Sequence, residues 1–234
     1  MSADTLTATN IISRADQKMR GTTSTSSMSM TVKRPDWQRS ISMQTWSKGD
    51  SFSLVLITAP PREEGQVFLK RHTNMWNWIP RISRMVKIPP SMMSQSWMGS
   101  DFSNNDLLRE SSIVTDYEHA KAGVEPVDSF VCWKLKLTPK PQAPVVWTSV
   151  HAWIDTSLFV EVKADYFSGD RQLAETMHFS RVRSMDGRMI PTRFTLIPHD
   201  KQHHRTVMDI ESIDFNVKLD DKFFSKQNAR RVHR

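Results

Sequence analysis

From Met28 to Phe215 the apolar residues fall on every second position, and turn signals interrupt them at short intervals. In "SMSMTVKR", Met28, Met30 and Val32 alternate with Ser29, Thr31 and Lys33. In "SISMQ", Ile41 and Met43 alternate with Ser40, Ser42 and Gln44, and in "SFSLVLIT" Phe52, Leu54 and Leu56 share one parity. A period of two is the mark of a half-buried strand. Turn segments such as "SKGD", "APPREEG" and "SGD" separate these runs. No helical period stands between neighbouring runs except at one place, which disfavours βαβ crossovers and a parallel sheet. A long antiparallel meander must curl, close or cover its edges. The expected fold is mainly β (α+β): a half-open antiparallel β-barrel of about 11–12 strands.

The organisation along the chain follows from changes of period. Residues 4–20 predict an N-terminal helix, with Leu6, Ile11, Ile12, Ala15 and Met19 at helical spacing and Gly21 as its stop. Residues 27–87 hold a first set of strands and 111–217 a second set, followed by a tail over 218–234 that reads as a short helix or turn. Between the two sets, residues 88–110 break the rhythm with Pro89-Pro90, four Met and Trp side chains, and the Ser/Asn-rich run "SDFSNND". Pro90 suits the first turn of a helix, and Ser103 or Asn104 a cap, so two short helices are expected there. No repeat or linker divides the chain, and one domain over residues 1–234 is the simplest reading.

Connecting segments are usually polar. This one carries Met92, Met93, Trp97, Met98, Leu107 and Leu108 between polar residues, the pattern of a lid, with Gly99 and the Ser/Asn run as its hinge. Fourteen methionines in the chain point the same way, because Met adapts to variable contents where a fixed core is better built from Leu, Ile and Val. The strand residues that would line a hydrophobic cavity under that lid are Met28, Met30, Val32, Ile41 and Met43. Phe52, Leu54, Leu56, Trp76 and Trp78 would continue them. An acyl chain fits such a cavity, each buried CH₂ contributing about 0.8 kcal/mol. The competing reading is that these side chains plug the sheet's own core.

Signatures of other chemistry are missing. There is no G-x-G-x-x-G, Walker loop, G-x-S-x-G elbow or H-E-x-x-H motif, and the chain has seven glycines in all. Cys132, the sole cysteine, lies mid-strand as a core thiol and allows no intrachain disulfide. His199 and His203 have i, i+4 spacing but sit in a hairpin, and the Met pairs fit a strand face better than a Cu(I) motif, so no metal or cofactor is expected. Glu63 and Glu64 read as solvated turn charges. The net charge of +7 gathers in residues 70–87 and in the C-terminal "KQNARRVHR". Without a continuous stripe it argues against nucleic acid, and it leaves a solvated basic face or a peripheral membrane contact. The first residues lack the basic start and apolar core of a signal peptide, so the chain is either cytosolic or exported with its signal removed.

The runs Arg34-Pro35-Asp36-Trp37, Trp46-Ser47-Lys48-Gly49 and Pro89 to Phe102 resemble the LolA-like, outer-membrane lipoprotein-sorting family, and the likeness extends from "IISRADQKMRG" to "FFSKQN". The resemblance implies a half-open barrel with an N-terminal helix and short lid helices over a hydrophobic cavity. It implies a Gram-negative periplasmic carrier or chaperone without catalysis. Such a protein takes lipoprotein or other lipid acyl chains from an inner-membrane transporter to an outer-membrane receptor, working as a monomer. Arg34 and Arg39 lie in the region of the family's cavity arginine, without a clear positional counterpart. The alternative is a non-catalytic docking module of an envelope exporter.

Overall fold

The computed structural model describes residues 6–108, 112–143, 145–169 and 171–232; of Leu107 and Leu108 it describes the backbone alone. The expected helix start at residues 4 and 5, the end of the insertion at 109 and 110, and the last two residues of the tail lie outside that range. Among the described residues thirteen strands form an open antiparallel sheet, one or two more than expected, with β6 and β7 as its edge strands. They are β1 Thr23–Lys33, β2 Gln38–Lys48, β3 Phe52–Ala59, β4 Val67–Arg71, β5 Asn74–Ile79, β6 Arg84–Ile88, β7 Tyr117–Val127, β8 Phe130–Pro139, β9 Ser149–Asp155, β10 Glu161–Ser168, β11 Gln172–Met185, β12 Arg188–Pro198 and β13 Arg205–Phe215. The helices are α1 Ala8–Arg20, α2 Asn104–Leu108 and α3 Lys226–Ala229. The mainly β, open antiparallel fold with an N-terminal helix is the one the alternating sequence predicts. The chain forms two compact units, Met1–Met19 with Ser111–Gln202, and Arg20–Glu110 with His203–Arg234.

In the first unit the strands run β12-β11-β10-β9-β8-β7. Ala8, Ile11, Ile12 and Ala15 recur on one face of α1 and pack on Leu135, Leu137, Val150, Ala152 and Ile154, as the helical spacing requires. The helix is capped reciprocally: the Asn10 amide donates to Thr7 Oγ1 at 3.1 Å and the Thr7 amide to Asn10 Oδ1 at 3.3 Å. Cys132 is buried in a separate cluster with Trp153 and Val162, and its thiol is pushed up to about 11, first by burial and then by Asp155, Asp128 and Glu125. It is a structural thiol, not a nucleophile.

In the second unit the order is β6-β5-β4-β3-β2-β1-β13. Gly21 sits at φ +64 just after α1, with Asn216 Oδ1 and Phe215 within 3.2 Å of where a Cβ would stand, so the chain needs glycine there both for the left-handed turn and for room. The registers sort this unit's side chains into two faces, because residues paired across strands share a face. Met28 pairs with Met43, Met30 with Ile41 and Val32 with Arg39. Met43 pairs with Ile57, and Val55 with Phe68. Trp46 pairs with Leu54, Leu54 with Leu69 and Leu56 with Val67, and Leu69 with Trp76 and Val67 with Trp78. The first group and the second lie on opposite sides of the sheet.

Candidate functional site: two faces and a latched insertion

The sequence assigns Phe52, Leu54, Leu56, Trp76 and Trp78 to the same lining as Met28, Met30, Val32, Ile41 and Met43. The registers separate the two sets. Strand β3 is apolar at both parities: Leu54 and Leu56 are buried on one side, Val55 and Ile57 on the other. It is Val55 and Ile57 that continue the methionine face.

The Phe52–Trp78 face is filled by the chain itself. Phe224, fully buried, joins Phe52, Leu54, Leu56, Val67, Leu69 and Trp78 in one cluster, with Trp46, Trp76, Leu219, Phe223 and Val232 around it. Phe224 stands 5.4 Å from Phe52 and Phe223 5.4 Å from Trp46, centroid to centroid. Lys226 Nζ lies 4.4 Å from the Trp76 ring centre and the Arg230 guanidinium 5.7 Å from that of Trp78, both in cation–π range. Ser225 caps α3 by accepting the Asn228 amide at 3.1 Å. The tail expected as a simple helix or turn is therefore a core element. Its signal in the sequence was the doublet Phe223-Phe224 with Leu219 and Val232 beside it.

The insertion reaches the methionine face at two places, Trp97 on Phe68, the register partner of Val55, and Asp101 on Thr206, the register partner of Val32. Met30, Val32 and Ile41 are fully buried, and Met28 is half-buried. Of the two short helices expected, the second is α2, while the first is a 3₁₀ turn at Pro90–Met92, with another 3₁₀ turn at Trp97–Gly99 between them. Trp97 is buried and meets Phe68 edge-on at 5.3 Å, and Phe102 is buried too. Met93 and Met98 are half-buried, whereas Met92 faces out. The side chains of Leu107 and Leu108 lie outside the described residues.

The Ser/Asn run expected as a hinge ties the insertion together. Ser96 and Ser103 form a bridge, and the Trp97 amide donates to the Phe102 carbonyl at 2.7 Å. Ser100 Oγ donates to the Trp97 carbonyl at 2.7 Å, and Asn104 Nδ2 to the Met92 carbonyl at 2.9 Å. Ser103 and Asp106 make a reciprocal cap on α2, the Ser103 amide donating to Asp106 at 2.8 Å and the Asp106 amide to Ser103 Oγ at 3.1 Å. Met98 and Gly99 both have positive φ.

Two arginines from the β1–β2 hairpin hold this segment to the sheet. Arg34 Nη1 donates to Asp101 Oδ2 at 3.0 Å, and Nη2 to the Gly99 carbonyl at 3.0 Å. Its guanidinium also lies 5.8 Å from the Trp37 ring centre. Asp101 accepts a second bond from Thr206 Oγ1 at 2.6 Å, and its own amide donates to that oxygen at 3.0 Å. Arg39 Nη2 donates to the Met98 carbonyl, and Nη1 stands 3.8 Å from Glu63 Oε1. The pair Arg34–Asp101 is nearly dry, its side chains 10% and 4% exposed. Glu63, expected in solvent, is instead buried beside Arg39. Arg39 Nε, Glu63 Oε2 and the Trp97 indole N–H are buried without a hydrogen-bond partner among the described residues. Sequence reasoning set Arg34 and Arg39 in the region of the family's cavity arginine, without a positional counterpart and without a role. The later Asp101 and the acceptor carbonyls of Met98 and Gly99 carry no such label in a sequence.

Among the described residues no group of His, Cys, Asp and Glu is arranged to hold a metal, and no helix is long and apolar enough to cross a membrane.

A family model described as "-like: Uncharacterized protein" matches residues 49–231. No curated protein matches the chain. Among solved structures, a DUF1329 family protein from Desulfovibrio piger is 25% identical, with a TM-score of 0.85 over 95% of this chain and 97% of that one. A LolA superfamily protein from Nitrosomonas europaea is also 25% identical, with a TM-score of 0.81 over 95% of this chain and 99% of its own. An outer membrane lipoprotein-sorting protein domain from Vibrio parahaemolyticus has the same fold at 20% identity, with a TM-score of 0.84 over 96% and 98% of the two chains. The chain belongs to the family of uncharacterized proteins that this model describes, and its fold is the LolA-like one.

Proposed function

We propose that the protein is a non-catalytic carrier that holds the acyl chain of a lipoprotein or another lipid against the methionine face of β1 and β2, beneath the insertion. The observation that carries the reading is the insertion's contact with that face. Soft side chains (Met28, Met30, Ile41, Met43) share the sheet face that the insertion reaches through Trp97 on Phe68 and Asp101 on Thr206, and that segment is fastened by a few directed bonds from Arg34 and Arg39. Two of the proteins that share the fold support it, one of the LolA superfamily and one an outer membrane lipoprotein-sorting protein domain.

The energies are compatible with exchange of cargo. Releasing the insertion uncovers chiefly Trp97 and Phe102, about 3 kcal/mol each, and returns the Arg34–Asp101 pair to water, where its net cost is small. An acyl chain of about sixteen carbons, fully dried, gains on the order of 10 kcal/mol. A cargo can therefore displace the insertion and still be bound. The unpartnered Arg39 Nε and Trp97 N–H are donors that a cargo's ester or amide carbonyl can use. On this reading the protein works as a monomer in the periplasm, between an inner-membrane donor and an outer-membrane acceptor.

Native mass spectrometry of protein isolated from the cell envelope without detergent tests this, paired with uptake of a fluorescent acyl probe. A bound lipid mass is expected, with probe uptake lost in Met28→Asp and kept in Lys226→Ala, which alters the opposite face. A clean protein mass with no uptake would sink the carrier reading in favour of a docking module.

A further inference from the structure

The edge strand β6 and the turns that flank it combine exposed cations with exposed apolar side chains. Arg81, Arg84 and Lys87 all face solvent. Ile82 is 56%, Val86 45% and Met92 41% exposed. No ion pair among the described residues uses any of the three cations. The surrounding sequence offers no carboxylate either: between Glu64 and Asp101 there is neither Asp nor Glu, while Lys70, Arg71, Arg81, Arg84 and Lys87 fall in that interval. In a chain with 25 acidic residues, this stretch stands apart as one-signed along the sequence.

We infer that this edge docks on the surface of an anionic phospholipid bilayer, the cations against lipid phosphates and Ile82, Val86 and Met92 at the headgroup–acyl boundary. A planar anionic surface needs no register, and it accepts point charges and shallow apolar side chains together. A partner strand is a poorer occupant. β6 has five residues, and Pro89-Pro90 follows it at once without N–H donors, so an added ladder would be short. The inference stands apart from the carrier reading, because it concerns the exposed edge and not the face beneath the insertion.

Co-sedimentation of the full chain with vesicles tests it, comparing phosphatidylcholine alone with phosphatidylcholine mixed with phosphatidylglycerol. Binding to the mixed vesicles is expected, weak on the neutral ones and falling as salt rises. Each cation near such a surface strengthens binding about fivefold, so Arg81→Gln with Arg84→Gln and Lys87→Gln lowers partitioning on the order of a hundredfold. The control Lys201→Gln with Lys218→Gln and Lys222→Gln removes the same net charge elsewhere and keeps most of the binding. Ile82→Ser with Val86→Ser alters exposed positions and reduces the part of the binding that survives high salt. The inference is overturned if the mixed vesicles do not bind the chain, or if the control loses as much as the edge variant. It is overturned equally if the edge substitutions abolish capture of an acidic protein while vesicle binding persists.

Discussion

Replacing Asp101 by Asn removes the one carboxylate that joins the insertion to both Arg34 and Thr206. The substitution keeps the shape and one acceptor oxygen but not the charge. Arg34, whose side chain is 10% exposed, then keeps its bonds to the Gly99 and Lys33 carbonyls and loses its counter-charge. Breaking a buried pair from one side costs about 3–5 kcal/mol; the retained acceptor places this case near the lower end, about 3 kcal/mol. The lost charge pairing ties Asp101 to the β1–β2 hairpin and lies outside every strand ladder. The loss therefore falls on local opening of the insertion rather than on the sheet. In hydrogen exchange, the amides of Trp97, Ser100 and Asn104, bonded within the insertion, should exchange on the order of a hundredfold faster, each tenfold corresponding to about 1.4 kcal/mol. Amides of Val55 and Leu56 in the β3 ladder should keep their rates. Thr206→Val, which deletes both the hydrogen bond to the Asp101 carboxylate and the acceptor of the Asp101 amide, should give a smaller effect of about 2 kcal/mol. Equal acceleration in β3 and in the insertion would show that the pair supports the whole unit. Unchanged exchange would show that it does not hold the insertion at all.

Three further outcomes follow from the packing and the charges. Phe224→Ala should lower the stability read from urea unfolding by about 3–5 kcal/mol, as for other fully buried aromatics, while acyl-probe uptake per folded molecule stays unchanged. A loss of uptake would place cargo on the tail-covered face instead. Cys132, buried and pushed up to about 11, should resist alkylation by iodoacetamide in the native protein at neutral pH and react once denaturant is added; fast native labelling contradicts its burial. His151 and His178 are both held below the ordinary imidazole value of 6.5, His151 by burial and then Lys134 and Lys136, His178 by burial and then Lys163. The folded protein thus binds fewer protons than the unfolded chain in that range, so stability should decline as pH falls from 6.5 towards the depressed values. The double variant His151→Gln with His178→Gln should flatten that part of the profile of unfolding against pH.

The kind of fold was legible because it rests on period alone. Ala8, Ile11, Ile12 and Ala15 point to one helix face whatever they pack on, and the alternations of β1, β2 and β13 survive any register. The grouping of faces was not legible, for a definable reason. A strand buried on both sides shows two apolar parities, and in "SFSLVLIT" the parity of Phe52, Leu54 and Leu56 looks as strong as that of Val55 and Ile57. Register shifts at Ser42/Met43 and Ser27/Met28 further detach parity in one strand from parity in the next. The role of Arg34 and Arg39 was hidden for a different reason. Their acceptors are mostly backbone carbonyls, which every residue has, so no side-chain pattern announces them.

The two coverings of the second unit's sheet differ in a way that bears on which one opens. The tail presents Phe223 and Phe224 to Trp46 and Phe52 and reinforces them with Lys226 on Trp76 and Arg230 on Trp78. Rings have few torsions and defined contact geometry, so displacing the tail exposes several large aromatic surfaces at once. Among its described side chains the insertion buries Trp97 and Phe102 as large groups, and it meets a face of methionines that can refill vacated space by changing rotamer. Much of its hold is concentrated in Arg34, Arg39, Asp101 and Thr206, whose bonds are directional and fail together when residues 98–101 move away. Such an attachment can release as a unit at a cost of several kcal/mol and leave both the aromatic face and the strand ladders intact. If the protein is the carrier proposed above, the methionine face is accordingly the side of the sheet to which cargo exchange belongs, because it can be uncovered without unfolding the sheet.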